Sequence, residues 1–263
     1  MTVENIAHRG ASLTAPENTL AAFEQAIRHG ADRMELDVQL DADGTPVIHH
    51  DATLERVTDV ARRHPDRAPW DLRTFRTAEL AQLDATWPAA TEGEPTGLAT
   101  LDDVLRELAG RTRLLLELKD PARHPELVPA TLEVLDRHPW WLAADHPDRM
   151  TLQSFDHDAV RRVRAQLPDH LPFGWLFDEG VVPPIAELPD WVRDVVVDHR
   201  SVTAELVAAA HGHGRRVLAW TVNDEPRLGQ LVDLGVDGII TDDPALLTDV
   251  LADRQERIGA GRD

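Results

Sequence analysis

The sequence contains no cysteine, so disulfides and thiolate metal sites are excluded. Any metal must be held by oxygen or imidazole. No apolar run approaches the ~20 residues of a membrane-spanning helix. The opening Met-Thr-Val-Glu-Asn lacks the basic and apolar segments of a signal peptide. No Ser/Gly linker and no sharp change of composition divides the 263 residues. Together these absences predict one soluble, cytoplasmic domain over 1–263 without a stable membrane anchor. Positive charge is also scarce: 27 Lys and Arg face 47 Asp and Glu, a formal net charge of −20. That balance opposes nucleic acid and anionic lipid surfaces. It leaves a small anionic substrate open, because a metal and a few basic groups reverse the sign locally. Lysine occurs once, at Lys119, in a chain whose other basic residues are arginines. A position that keeps a compact ammonium among so many guanidinium groups is either a site residue or a chance survivor.

The densest chemistry lies in residues 35–51. Glu35 and Asp37 alternate with Leu36 and Val38, and on a strand residues two apart face the same side. Two carboxylates on one buried face repel each other unless a cation holds them. Asp41-Ala-Asp-Gly44 is a turn signal, and Pro46–His50 is a second short strand-like run. Paired as a hairpin, residues whose numbers sum to about 85 face each other, which sets His50 beside Glu35. His49 then faces away and is expected to pack or hydrogen bond.

Apolar runs and helical patterns alternate along the rest. Setting the 46–50 arm aside, strand-like runs fall at 5–8, 33–38, 113–119, 150–155, 172–177, 194–198, 216–222 and 236–241. Helical patterns fall at 16–30, 100–110, 125–137, 157–166, 203–212, 224–234 and 244–254, and the Pro-rich link 178–193 has the weakest one. Eight alternating units in roughly 250 residues predict an α/β fold, a (β/α)8 TIM barrel with a β-hairpin arm and a small insertion after strand 2. The rival, a doubly wound open sheet, lacks any Gly-x-Gly-x-x-Gly turn after a strand. The insertion, about 52–99, is rich in Arg, Asp, Pro and Thr and carries a short helical pattern near 77–83. It has few apolar residues for a core of its own, and Trp70 and Trp87 are expected to pack it onto the barrel.

A barrel of this kind places its chemistry at the C-terminal ends of the strands. There the sequence puts His8 and Arg9, Glu35 and Asp37, Glu117 and Lys119, Gln153–Phe155, His199, and Trp220–Asn223. Glu35, Asp37 and Glu117 form an oxygen-only set that favours one hard divalent cation, Mg²⁺ or Ca²⁺, with Mn²⁺ a further option. The alternative is a metal-free ion-pair network with Arg9 and Lys119. His8 and His50 flank the same rim and suit alternating base and acid roles. A divalent metal, two imidazoles and a cationic pair suit phosphoryl chemistry, and a diester in particular, whose leaving alkoxide needs a proton. His199 is a further candidate at a strand end. His29, His138, His211 and His213 fall in loops or at helix ends and are expected to be solvated.

The segments Ile6–Gly10, Ala15–Thr19, Glu35–Val38, Asp43-Gly44, His50-Asp51, Leu116–Lys119, Gln153–Phe155, Trp220–Asn223 and Asp237–Pro244 resemble, in order and over nearly the whole chain, the glycerophosphodiester phosphodiesterases. The resemblance implies a phosphatidylinositol-phospholipase-C-like barrel that hydrolyses glycerophosphodiesters to sn-glycerol 3-phosphate and an alcohol with one divalent cation. On matching positions it implies His8 and His50 as the acid–base pair and Glu35, Asp37 and Glu117 as metal ligands. It likewise implies that Arg9 and Lys119 bind phosphate and that Trp220 lines the site near the glycerol or leaving group. His49 departs from the family, which has an apolar or small residue there, and 60–95 follows its pattern loosely. Glu17 and Asn18 match the family but stand at a helix start, where they are expected to satisfy free N–H groups. Two rival readings remain: a lysophospholipase-D-like activity on the same barrel, and a non-catalytic barrel that only binds phosphodiesters. The second requires a lost catalytic position, and none is lost. The oligomeric state is left open.

Overall fold

A computed structural model describes residues 3–85 and 96–260. Its strands are β1 (Glu4–His8), β2 (Arg33–Leu40), β3 (Pro46–Ile48), β4 (Arg113–Leu118), β5 (Met150–Ser154), β6 (Phe173–Leu176), β7 (Val192–Asp198), β8 (Arg216–Trp220) and β9 (Gly238–Thr241). All but β3 pair in parallel, in the order β1-β2-β4-β5-β6-β7-β8-β9, and β9 returns to β1 through pairs from Glu4↔Gly238 to Ala7↔Thr241. The ring is closed, and the predicted eight-stranded barrel is the observed one. The helices are α1 (Leu20–Arg28), α2 (Val60–Arg63), α3 (Thr77–Leu80), α4 (Leu101–Leu108), α5 (Leu127–Asp136), α6 (His157–Arg164), α7 (Ala204–Gly212), α8 (Glu225–Leu234) and α9 (Pro244–Ala260). Thr19, Thr100, Asp156, Thr203 and Asp224 cap their helices with side-chain oxygens. The link between β6 and β7 carries only a 3₁₀ turn, Ile185–Glu187, where prolines remove amide donors. Among the described residues no helix is long and apolar enough to cross a membrane.

The period of two along each strand stacks the inward side chains in tiers. At the floor, Glu4 pairs with Arg33, Arg113 and Arg216 at 3.5, 2.6 and 2.5 Å. Two residues on, Ile6, Leu115, Leu176, Val196, Leu218 and Ile240 pack together as an apolar plug. Space there is short: a Cβ at Gly238 would lie 2.8 Å from the Leu218 side chain and 3.1 Å from that of Ile6. Another step brings His8, Asp37 and Glu117 to the upper rim. The series Glu4–Ile6–His8 and Arg113–Leu115–Glu117 thus run from ionic floor through apolar plug to site.

The hairpin differs from expectation by one residue. Pairs Val38↔Ile48, Gln39↔Val47 and Leu40↔Pro46 each sum to 86. The reason lies in the turn. Asp41 N donates to Thr45 O at 3.1 Å, and Asp41 Oδ1 accepts from Asp43 N and Thr45 N at 2.9 and 2.8 Å. Gly44, at φ 79°, takes the left-handed position that this three-residue loop requires. His50 therefore does not stand opposite Glu35 in a ladder; the chain beyond β3 delivers it. Along one edge of β2, Glu35 O accepts from Arg9 N at 2.9 Å, and Asp37 O accepts from His49 N at 3.0 Å. β1 and β3 therefore abut end to end along β2, which is how His8 and His50 come to one rim.

The insertion does have a small core, contrary to expectation. Leu54, Val60, Leu72, Phe75, Leu80 and Leu83 pack with Val47 of β3. These residues follow no single helical or strand period, so no pattern marked them as a core. Trp70 packs against this cluster rather than onto the barrel, while Trp87 lies outside the described residues.

Candidate active site

The C-terminal ends of the strands surround a cavity of about 260 Å³. Of the eight residues nominated from the sequence, seven line it: His8, Arg9, Glu35, His50, Glu117, Lys119 and Trp220. The eighth, Asp37, is 1 % exposed behind them. One oxygen of each of Glu35, Asp37 and Glu117 lies within 4.8 Å of the others. Their counter-charges are few. Arg9 Nε is 3.1 Å from Asp37 Oδ2, and Lys119 Nζ is 2.7 Å from Glu117 and 3.6 Å from Asp37. Asn18 Nδ2 also donates to Asp37, at 3.0 Å.

Burial decides the protonation of this cluster. It raises the Glu35 carboxyl well above its ordinary range, and the neighbouring Asp37 and Glu117 raise it further. Glu117 is pushed up to about 7, again chiefly by burial, although Lys119 pulls the other way. The short Lys119 contact alone would favour an ionised Glu117; desolvation of an almost fully buried carboxyl is the larger effect. At Asp37 burial also opposes ionisation, but Arg9 and Lys119 outweigh it and hold the group at about 2. Once ionised, three buried carboxylates face only two shared cations, an excess of negative charge. On β5, next to Glu117 in register, the buried Gln153 Oε1 has no partner within the protein. An excess of buried oxygen donors with no nitrogen or sulfur among them fits a hard divalent cation.

The two histidines are held alike. His8 Nδ1 is 2.6 Å from Asp242 Oδ1, and His50 Nδ1 is 2.6 Å from Asp51 Oδ1. An ionised carboxylate only accepts, so each Nδ1 carries a proton and each Nε2 is left for chemistry. Asp242, which follows β9, is fixed in turn by Ser12 Oγ at 2.9 Å and Asn223 Nδ2 at 2.6 Å. Burial opposes its ionisation, but these donors and His8 outweigh it and hold its carboxyl at about 2. Burial lowers His50 below the ordinary histidine value; Asp37 opposes this, and Lys119 and Arg9 add to it. Gln39 Nε2 donates to the carbonyls of His49, His50 and Asp51 at 2.9, 2.8 and 2.8 Å, fixing the turn that presents His50.

Other candidates find different places. His49 is buried, its Nε2 3.0 Å from Thr53 O, as expected. His199 is held by Arg227 and does not line the cavity. His138 and His211 lie 3.1 Å from Asp102 and 2.9 Å from Asp237, so they are partnered rather than merely solvated. Trp220 stands edge-on to Phe155, with ring centroids 5.8 Å apart.

Glu17 and Asn18 depart from expectation: neither caps α1. Thr19 does so, accepting from Ala22 N at 3.3 Å. Asn18 reaches Asp37, and Glu17 accepts from Arg9 NH1 at 2.9 Å. Both Arg9 and Asn18 take left-handed backbone, at φ 58° and 57°, so this loop is wound tightly into the site. Gly10 between them is required, at φ 84° with a Cβ that would meet Ala22 at 2.7 Å. Asp51 and Asp242 were not singled out from sequence either; the only signal for them was membership of the matching segments.

The sequence profile of the glycerophosphoryl diester phosphodiesterase family matches residues 8–246. A glycerophosphodiester phosphodiesterase of Caldanaerobacter subterraneus is 31% identical over 259 residues, covering 94% of this chain and 96% of that one. One from Bacillus altitudinis is 30% identical over 244 residues, covering 90% and 94%. A phosphodiesterase of Oleispira antarctica, solved in complex with the product sn-glycerol-3-phosphate, matches with a TM-score of 0.82 at 29% identity, over 96% of this chain and 97% of the other. The match runs from His8, the last residue of β1, into α9 and takes in the seven other barrel strands whole. The chain therefore belongs to the glycerophosphoryl diester phosphodiesterase family and is a phosphoric diester hydrolase.

Proposed function

We propose that the chain hydrolyses small glycerophosphodiesters to sn-glycerol 3-phosphate and an alcohol, with His8 and His50 as the proton-transfer pair. The observation that carries this reading is the matched state of the two rings: each has Nδ1 tied to a carboxylate at 2.6 Å and lines the same cavity. One Nε2 takes the proton of the attacking hydroxyl: either water, which gives sn-glycerol 3-phosphate directly, or the substrate's own glycerol 2-hydroxyl, which gives a cyclic phosphate that water then opens in a second step with the two rings exchanging roles. As the new P–O bond forms, the bond to the leaving alcohol breaks, and the other ring delivers a proton to that oxygen. Arg9 and Lys119 bind the non-bridging phosphate oxygens. Glu35, Asp37 and Glu117 would hold Mg²⁺ or Ca²⁺, which when bound supplies positive charge against the charge that builds on phosphate. A cavity of about 260 Å³ suits a glycerol, a phosphate and a small head group, with Trp220 and Phe155 as the wall beside the leaving alcohol. The barrel and its insertion act as one domain.

The product seen in the Oleispira antarctica structure supports the assignment of sn-glycerol 3-phosphate as product here. The test is a coupled glycerol 3-phosphate assay on choline, ethanolamine, glycerol and inositol diesters, with Mg²⁺, Ca²⁺ and Mn²⁺ in turn. Read as choline release, turnover of glycerophosphocholine and none of lysophosphatidylcholine is expected; the reverse favours the lysophospholipase-D-like activity. Metal-replete protein that releases nothing from any diester is a binding barrel.

A further inference from the structure

Beside the cavity, a line of ion pairs runs from the His50 ring back to the carboxylate cluster. Asp51 Oδ1 lies 2.6 Å from His50 Nδ1, and its Oδ2 lies 2.5 Å from Arg56 Nε. The other two nitrogens of Arg56 donate to both oxygens of Glu17, at 2.6 and 2.7 Å. Glu17 accepts in turn from Arg9, whose Nε is 3.1 Å from Asp37. Every nitrogen of Arg56 is thus engaged, on two carboxylates carried by different loops. Asp51 follows β3, and Glu17 lies between β1 and α1.

We propose that Arg56 is a positioning residue for proton transfer: it fixes the Asp51 carboxylate, which fixes the His50 ring, and it keys that orientation to the loop carrying Arg9. The inference rests on His50 being one of the two proton-transfer groups. The physical argument starts from Asp51. Its side chain is 25 % exposed on a loop, and a carboxylate held only by one ring nitrogen swings readily to water. Arg56 Nε occupies its second oxygen and removes that freedom. The same guanidinium stands between Asp51 and Glu17, which repel each other without it. Lysine cannot replace it, because a single ammonium does not span three acceptor oxygens in a plane. Arg56 does not line the cavity, so its influence on the reaction passes through Asp51. Its own side chain is 47 % exposed, and ion pairs that open to water add little to stability. Loss of the guanidinium therefore disturbs function more than folding. This also gives the insertion, in which Arg56 stands, a part in the site.

The test uses the full chain with Arg56→Met, Arg56→Lys and Arg56→Ala. With a small glycerophosphodiester and saturating divalent metal, Arg56→Met is expected to lower kcat about 10- to 100-fold, the range for groups that orient a reacting residue. KM should move less than about threefold, because Arg9 keeps its Asp37 contact. Arg56→Lys should lose most of the same activity while unfolding at the same urea concentration as the parent. Guanidinium ion at millimolar concentration should restore part of the activity of Arg56→Ala and none of that of Asp51→Asn. In metal-free, substrate-free protein labelled with ¹⁵N-histidine, the parent His50 should be a pure Nδ1–H tautomer, and Arg56→Met a mixture. This last reading needs no turnover, so it stands even if no diester is hydrolysed. An unchanged kcat in Arg56→Met, or a lowered kcat with an unchanged His50 tautomer, overturns the proposal.

Discussion

Each of the two rim histidines is paired with an aspartate, and the pairing predicts how each responds to substitution. On the proposed role of His50, His50→Ala removes a proton-transfer group and is expected to cost on the order of 10²–10⁴ in kcat, with the fold intact by circular dichroism. A loss under about tenfold would move the role to another group. Asp242→Asn keeps the shape but offers His8 an amide in place of an acceptor-only carboxylate, so the ring can sit in the wrong tautomer. It should lower kcat by a factor comparable to His8→Ala, with little change in KM. The pH dependence follows from the direction at His50, which is lowered from 6.5 chiefly by burial. A depressed value keeps the ring neutral to lower pH. The limb of kcat/KM that His50 sets, on the acid side if it takes the proton and on the alkaline side if it gives it, should therefore lie below 6.5 in the parent; a limb above it contradicts the assignment. His50 also contributes stability above its unfolded value, lost as pH falls through its folded one. At this scale the meeting of Glu35, Asp37, Glu117 and Lys119 at one rim was legible, because residues of these types are rare on an apolar strand. The contacts of Glu17 and Asn18 were not legible, because a polar pair before a helical pattern has an ordinary use as a cap, and nothing local reveals partners at the ends of β1 and β2.

β2 is the element on which the others converge. It takes β1 and then β3 on one edge and β4 on the other, and its inward residues run Arg33, Glu35, Asp37. The hairpin was legible from turn residues flanked by apolar runs. Its register was not, because Asp41 closes a three-residue loop through its own side chain, and one residue more or fewer in a turn shifts every pair. The lower end of β2 carries a different load. Arg33 is fully buried, 3.1 Å from Thr151 Oγ1 and 3.7 Å from Asp194, beneath the apolar plug. Arg33→Met strands Glu4 and Asp194 without a full complement of cations in a dry setting. It should destabilise by about 3–5 kcal/mol in urea titrations. Because the plug separates floor from rim, kcat of the folded, metal-loaded variant should stay within about twofold of the parent. A variant as stable as the parent would show that the remaining arginines compensate.

The whole molecule was legible because eight apolar runs alternated with helical patterns, and a closed parallel barrel satisfies all of them at once. What escaped was irregular, the insertion's small core, whereas the proline content of the link between β6 and β7 already marks it as a doubtful helix, and it carries only a 3₁₀ turn. The charge balance of the whole has one consequence that joins stability to function. Glu117 is pushed up to about 7 and Glu35 is raised as well, against an ordinary 4.5. A group raised on folding lends stability below its unfolded value and loses it as pH rises through the folded one. Metal-free protein should therefore grow less stable between about pH 5 and 8 as these carboxyls ionise against each other. A divalent cation at the cluster would require it ionised, so its affinity and its stabilising effect should grow over the same interval. At a hundredfold excess over Kd the gain is about 2.7 kcal/mol, or roughly 5–10 °C in Tm for a chain of this size. Calorimetry of chelator-treated and Ca²⁺- or Mg²⁺-replete protein at pH 5, 6, 7 and 8 should show a gap in Tm that widens with pH. Activity should vanish on chelation and return with the metal. A gap that is absent at pH 8, together with turnover that survives exhaustive chelation, would mean that Arg9 and Lys119 alone neutralise the cluster.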